Sequence, residues 1–228
     1  MKTDIKKTQD LVRDTVALIE SEAEVAIATR GRFILSLSGG NTPKPIYAEL
    51  AKRNHDWSKW IFTFGDERCV PPEDEQSNFR MVNEVWFAPA GVPESSIFRM
   101  KGEEPPAQAA LEYERAMNFL SENEGGEILR HDLILLGMGP DGHTASLFPG
   151  TPALNERTRL VIENFVPKFD MYRITFTYPF IDAARHVVFA LASKGKETVL
   201  DDLKNKRGDY PCQHIAPTDG TLTWIIAE

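Results

Sequence analysis

Between residues 12 and 27 the apolar side chains Val12, Val16, Ile19, Ala23 and Ile27 recur at steps of four and three. That spacing predicts a helix with one buried face, ended by Gly31. Phe33 to Leu37 is then a short apolar run, closed by Ser38-Gly39-Gly40-Asn41-Thr42-Pro43. Thr42 is placed to cap a helix, with Pro43 at its first position, where no donor is lost. Ile46, Tyr47 and Leu50 give that helix a buried side, so residues 33 to 53 read as strand, glycine-rich turn, helix.

The same alternation continues. Ile61 to Phe64 predicts a strand, followed by Gly65-Asp66-Glu67-Arg68 and a loop with Pro71 and Pro72. A helix resumes near Ser77, with Phe79, Val82 and Trp86 on one side. Residues 91 to 106 are broken up by glycine and proline and hold one short strand at most. Residues 107 to 122 are helical, with Tyr113, Ala116, Met117 and Leu120 inward. Leu133 to Leu136 is the most apolar strand, and the long turn Gly137-Met138-Gly139-Pro140-Asp141-Gly142-His143 follows it. Further strands are predicted at 160–163, 173–177, 187–191 and 222–226, with a helix at 196–205. Short apolar runs alternating with amphipathic helices predict parallel strands joined by crossover helices. The expected architecture is therefore α/β in three layers, a mostly parallel central sheet with helices on both faces. No low-complexity linker or repeat divides residues 1–228, so a single domain is expected. Ligands of such sheets gather at the carboxyl ends of the strands. The unusual turns all follow strands, which puts them on that one edge.

Composition narrows the partners. In 228 residues, 26 Lys and Arg face 34 Asp and Glu, a net charge of −8. A chain this acidic lacks the broad basic footprint of a nucleic-acid binder, and cations for an anionic ligand must be gathered locally. Cys69 and Cys212 form no Cys-x-x-Cys, and the five histidines show no zinc spacing, so no metal is expected. Cys69 stands beside Arg68, a setting that lowers a thiol pKa. The first residues are polar with no apolar stretch behind them, and no run is long enough to span a bilayer. A soluble, cytoplasmic protein without a membrane partner is expected. No coiled-coil seam is evident, and a monomer or weak homodimer is the expectation.

Three segments carry candidate chemistry. In Ser38-Gly39-Gly40-Asn41-Thr42-Pro43, two glycines let the backbone approach a ligand, and the amides of 39 to 42 suit a phosphate. The same residues also fit a tight turn that binds nothing. Asp66-Glu67-Arg68 reads by default as a solvated charged loop, or else uses Arg68 as a fork for phosphate. Ser77-Asn78 suits a helix cap. Asp141 and His143 are two apart, so the carboxylate can orient an imidazole that deprotonates water. A turn cap with a backbone-bonded histidine also explains them, and for a lone Asp-x-His that is the default reading. Lys194 and Lys196 open a helix, where they are either solvated or aimed at a phosphate. Arg173 at the start of a strand does likewise or marks a strand edge. Gly-x-Ser-x-Gly is absent, so no nucleophile elbow is present.

Taken in order, these segments resemble the 6-phosphogluconolactonase family. Ser38 to Pro43 looks like its phosphate loop, with Asn41 where Ser is more usual. Asp66-Glu67-Arg68-x-Val70-Pro71 with Ser77-Asn78 is similar to its second motif. Gly137-Met138-Gly139-x-Asp141-Gly142-His143-Thr144-Ala145-Ser146-Leu147-Phe148-Pro149-Gly150 is nearly its signature. The resemblance implies a Rossmann-like fold with no metal or organic cofactor, and hydrolysis of a phosphorylated sugar lactone. It further implies His143 as base for water and Asp141 as its orienter. Ser38, Gly39, Gly40, Asn41, Thr42, Arg68, Arg173 and Lys196 would then hold the phosphate. The related glucosamine-6-phosphate deaminases continue Asp-Gly-His into Asn-Glu-Pro. Here Phe148 stands where they have that Glu, and Arg68 follows Asp66-Glu67 where they have Tyr. Both departures favour the lactonase over the deaminase, and no added segment suggests a non-enzymatic sugar-phosphate sensor.

Overall fold

The computed structural model describes residues 2–123 and 128–228. The chain opens with strand β1 (Lys2–Thr8), helix α1 (Leu11–Arg30), strand β2 (Phe33–Leu37) and helix α2 (Lys44–Leu50). Strands β3 (Trp60–Phe64) and β4 (Asp66–Arg68) follow. A helical stretch is then built from α3 (Asn78–Val82), a π-helical turn (Asn83–Phe87) and α4 (Ala88–Ala90). Helix α5 (Pro106–Asn123) precedes β5 (Leu133–Leu136). The second half runs β6 (Val161–Val166), β7 (Met171–Phe176), α6 (Tyr178–Asp182), β8 (His186–Ala192), α7 (Glu197–Lys204) and β9 (Thr221–Ala227).

Six strands form one parallel sheet in the spatial order β1-β9-β8-β5-β2-β3. Side chains alternate between its faces with a period of two. Phe33, Leu35, Leu37, Leu133 and Leu135 point to one side and pack on Val16, Ile19 and Ala23 of α1 and Ile46, Tyr47 and Leu50 of α2. Ile34, Ile134 and Leu136 point to the other and pack with Ala109, Tyr113 and Met117 of α5. Each such side chain, once fully buried, contributes roughly 1.5–3 kcal/mol. Both faces of the sheet are therefore covered, as the near-continuous apolar strands require.

Strand order supplies the crevice. From β2 the chain moves outward to β3, whereas β5 returns on the opposite side of β2 and leads to β8 and β9. The connections leaving β2 and β5 diverge at their carboxyl ends, which is where such sheets bind ligands.

Several local expectations are corrected. β1 carries only one large apolar residue, Ile5, and that side chain is exposed. It is an edge strand paired only with β9, so no buried face marks it in the pattern, and its lysines suit an unpaired edge. Thr42 does not cap α2: Pro43 takes the cap position, with no side-chain cap, and its carbonyl accepts the first helical bond from Tyr47 at 3.0 Å. Of the two N–H groups a cap at Thr42 could accept, those of residues 44 and 45, the second is missing because that residue is Pro45. Asp66 to Arg68 is not a solvated loop. It pairs antiparallel with β7, and β6 completes a second, three-stranded sheet of order β4-β7-β6. Among the described residues, no helix is long and apolar enough to cross a membrane.

Candidate active site

The turn after β2 is stapled from below. The Tyr47 hydroxyl of α2 accepts the Ser38 N–H at 3.0 Å and donates to the Ser38 carbonyl at 2.8 Å. Gly39 has no room for a side chain, since a Cβ there would lie 1.7 Å from Oδ1 of Asn78. Gly40 has φ +102°, a conformation that glycine alone adopts freely.

β4 brings the second group. Glu67 is buried and accepts the backbone N–H groups of Arg68, Asn78 and Phe79, each at 2.8 Å. Burial pushes its carboxyl up, against those donors. Ser77 caps α3 by accepting the Arg80 N–H at 3.1 Å. Asn78 instead donates to the Asp66 carbonyl at 2.9 Å. Asp66 accepts the Ser146 hydroxyl at 2.6 Å and pairs with Arg173 at 3.9 Å. Arg68 and Arg173 are direct partners across β4 and β7. Two like charges placed so are unfavourable unless an opposite charge joins them. Arg173 is 7% exposed, and its Nε, like the buried Nε of Arg68, has no protein acceptor. Its guanidinium lies 5.6 Å from the ring centroid of Phe148 and 5.0 Å from that of Phe169.

The turn after β5 holds the imidazole. His143 Nδ1 is 2.5 Å from Oδ1 of Asp141, and the His143 backbone N–H donates to the same oxygen at 3.3 Å. A carboxylate only accepts, so Nδ1 carries the proton and Nε2 the lone pair in the neutral ring. Burial raises the Asp141 carboxyl, but hydrogen bonds from His143 and Lys168 outweigh it and hold it well below the usual carboxylate range. Phe148 stacks on the imidazole with centroids 4.0 Å apart and planes at 20°.

These three groups border one cleft of about 220 Å³. Ser38, Gly39, Gly40, Asn41, Thr42, Arg68, Arg173, Lys196 and His143 all line it, whereas Asp141 stands behind His143. Lys194 is not among the lining residues, while Lys196, at the cap of α7, is. Asp66 and Asn78 line the cleft as well. Cys69 corrects its expectation: burial, reinforced by Glu67, pushes the thiol up to about 11, and Arg173 only partly opposes this. Among the described residues, no three His, Cys, Asp or Glu side chains converge as a metal site.

Comparison with known proteins adds a second line of support. Residues 6–224 match the family model described as glucosamine-6-phosphate isomerases/6-phosphogluconolactonase. The chain belongs to this family. Among relatives of this isomerase/lactonase member, a Nostoc protein named 6-phosphogluconolactonase is 38% identical over 97% of this chain and 96% of its own. One of the same name from Synechocystis is 39% identical, over 96% and 91%. The crystal structure of 6-phosphogluconolactonase from Thermotoga maritima superposes with a TM-score of 0.89 at 28% identity, covering all of both chains.

Two residues of this family member escaped the sequence reading. Lys168, in the short turn between β6 and β7, donates to Oδ2 of Asp141 at 2.9 Å. Phe169 beside it packs edge-on against Phe148 at 5.7 Å. Neither lies in a motif, and only the pairing of β6 with β7 brings them to the site.

Proposed function

We propose that the chain hydrolyses 6-phospho-D-glucono-1,5-lactone to 6-phosphogluconate, with residues 1–228 acting as one sugar-phosphate-binding unit. The observation that carries this reading is the shared cleft: an imidazole bound to Asp141 and a glycine turn flanked by Arg68, Arg173 and Lys196 border the same space. The phosphate binds the amides of residues 39 to 42, and its charge joins the two guanidiniums whose Nε groups have no protein acceptor. The sugar then extends toward His143. Nε2 of His143 takes a proton from water, and the resulting hydroxide attacks the C1 carbonyl. Asp141 holds the ring and stabilises the imidazolium. N–H groups of the glycine turns face the C1 oxyanion. The intermediate collapses by breaking the bond from C1 to the ring oxygen, and the imidazolium returns its proton to that oxygen. A lactone is an activated ester, so one positioned base suffices without a covalent nucleophile.

The deaminase alternative wants a carboxylate where Phe148 stands. Here an apolar ring lies flat on the imidazole instead. The deciding experiment is a lactone assay fast enough to outrun spontaneous hydrolysis, run beside an ammonia assay with glucosamine-6-phosphate. The reading expects turnover of the phosphorylated lactone and no ammonia. Ammonia release, or no acceleration of lactone opening, refutes it.

A further inference from the structure

Lys168 is not used by the reaction above, yet it touches the site. Its ammonium holds Oδ2 of Asp141 at 2.9 Å, while Oδ1 of the same carboxylate holds His143. Both oxygens are thus engaged, by two elements far apart in sequence. As a half-exposed ion pair the contact is worth only about 0–1 kcal/mol to stability. Its interest lies in what the carboxylate carries.

The β6–β7 hairpin delivers Lys168 to a set place. Asn164 of β6 donates to the Ser146 carbonyl at 2.8 Å and to the Thr151 hydroxyl at 3.0 Å. Phe169 packs on Phe148, which itself stacks on the imidazole. The hairpin is therefore tied to the same stretch that bears Asp141 and His143.

We propose that Lys168 is a positioning residue for His143: it fixes the second oxygen of Asp141 and offsets that carboxylate's charge at the imidazole, so that the ring stays a free base to lower pH. The inference rests on His143 being the base of the proposed reaction. The charged groups around the imidazole are Asp141 on its own turn, Lys168 of the hairpin on that carboxylate, and, lining the same cleft, Arg173 on β7 beside the Phe148 ring, Asp66 and Arg68 on β4, and Lys196 at α7. Tyr210 packs behind the turn at Gly142, with its hydroxyl on Asp202. Asp141 touches the ring and favours imidazolium. Lys168 is the cation bonded to that same carboxylate, so it opposes this preference most directly.

The test compares Lys168→Met, which keeps the apolar stem, with Lys168→Arg, which keeps the charge. kcat/KM for the phosphorylated lactone is followed from about pH 5 to pH 8, the range in which an imidazole titrates. In Lys168→Met the acid limb should move up by roughly half to one pH unit, a three- to tenfold loss near the foot of the limb. Lys168→Arg should keep the native limb. An unmoved limb in Lys168→Met, or an equal displacement in Lys168→Arg, overturns the proposal. The NMR titration of the His143 Cε1–H in the same proteins reads the coupling without turnover. If the native protein opens no phosphorylated lactone, the functional reading fails. The NMR midpoint then decides the coupling alone: raised in Lys168→Met it stands, unchanged it falls.

Discussion

A methyl group on Gly139 would lie 2.1 Å from Nδ1 and Cε1 of His143 and 2.8 Å from Oδ1 of Asp141. The glycine is there because the imidazole folds back over its own turn, and the Gly139 N–H closes that turn on the His143 carbonyl at 2.9 Å. Gly139→Ala must therefore push the ring aside. A displacement of about 1 Å from the productive geometry costs on the order of a hundredfold in rate. The expected result is a fall in kcat of that order with KM little changed, because the Gly39–Thr42 turn is untouched; native kcat would show that ring placement is not critical. Cys69 gives the opposite lesson about single residues. A neighbouring arginine suggests an activated thiol, but the strand that brings Arg68 also buries Cys69 beside Glu67, and burial dominates.

At the scale of elements, the parallel strands other than β1 were legible because each carries a mainly apolar, buried run. Leu133 to Leu136 is the clearest case, and its bounds agree with the pattern. The turns that follow β2 and β5 were legible as candidate sites, since glycine at such density is costly without a purpose. β4 was not, because Asp66, Glu67 and Arg68 carry charges that normally seek water. Asp66 and Glu67 are buried because each has partners supplied from afar: Ser146 and Arg173 for Asp66, and the start of α3 for Glu67. Such partners have no signal in local spacing. The β6–β7 hairpin was half legible: its strands were expected, but not their antiparallel pairing, and so Lys168 and Phe169 escaped notice. The β1 edge had too little apolar character to register.

At the scale of the molecule, a net charge of −8 coexists with an arginine pair and Lys196 around one cleft, which is the local gathering that an anionic substrate requires. The fold beneath it carries its own pH dependence. His131 is fully buried between Phe176 and Phe180, with Nε2 on the Thr63 hydroxyl at 2.9 Å. Burial lowers its pKa from 6.5 to about 3. Between those values the unfolded chain binds a proton that the folded one refuses, so stability falls as pH drops below about 6.5. Asp182 acts in the opposite sense. Burial raises its carboxyl from 3.8 to about 6, so its contribution grows as pH falls through that window. The difference between native protein and His131→Asn isolates the histidine. Urea unfolding from pH 7 to pH 4 should show the native protein losing up to about 1.4 kcal/mol per pH unit more than the variant. Parallel curves would contradict the assignment. The proposed reaction needs one molecule to span the Gly39–Thr42 turn and the imidazole, and the most direct measurement of that is His143→Ala assayed for both turnover and 6-phosphogluconate affinity. The expected result is kcat down by roughly 10²–10⁴ with product affinity within a few-fold of native. Near-native turnover in His143→Ala, or loss of product binding in step with kcat, would contradict it.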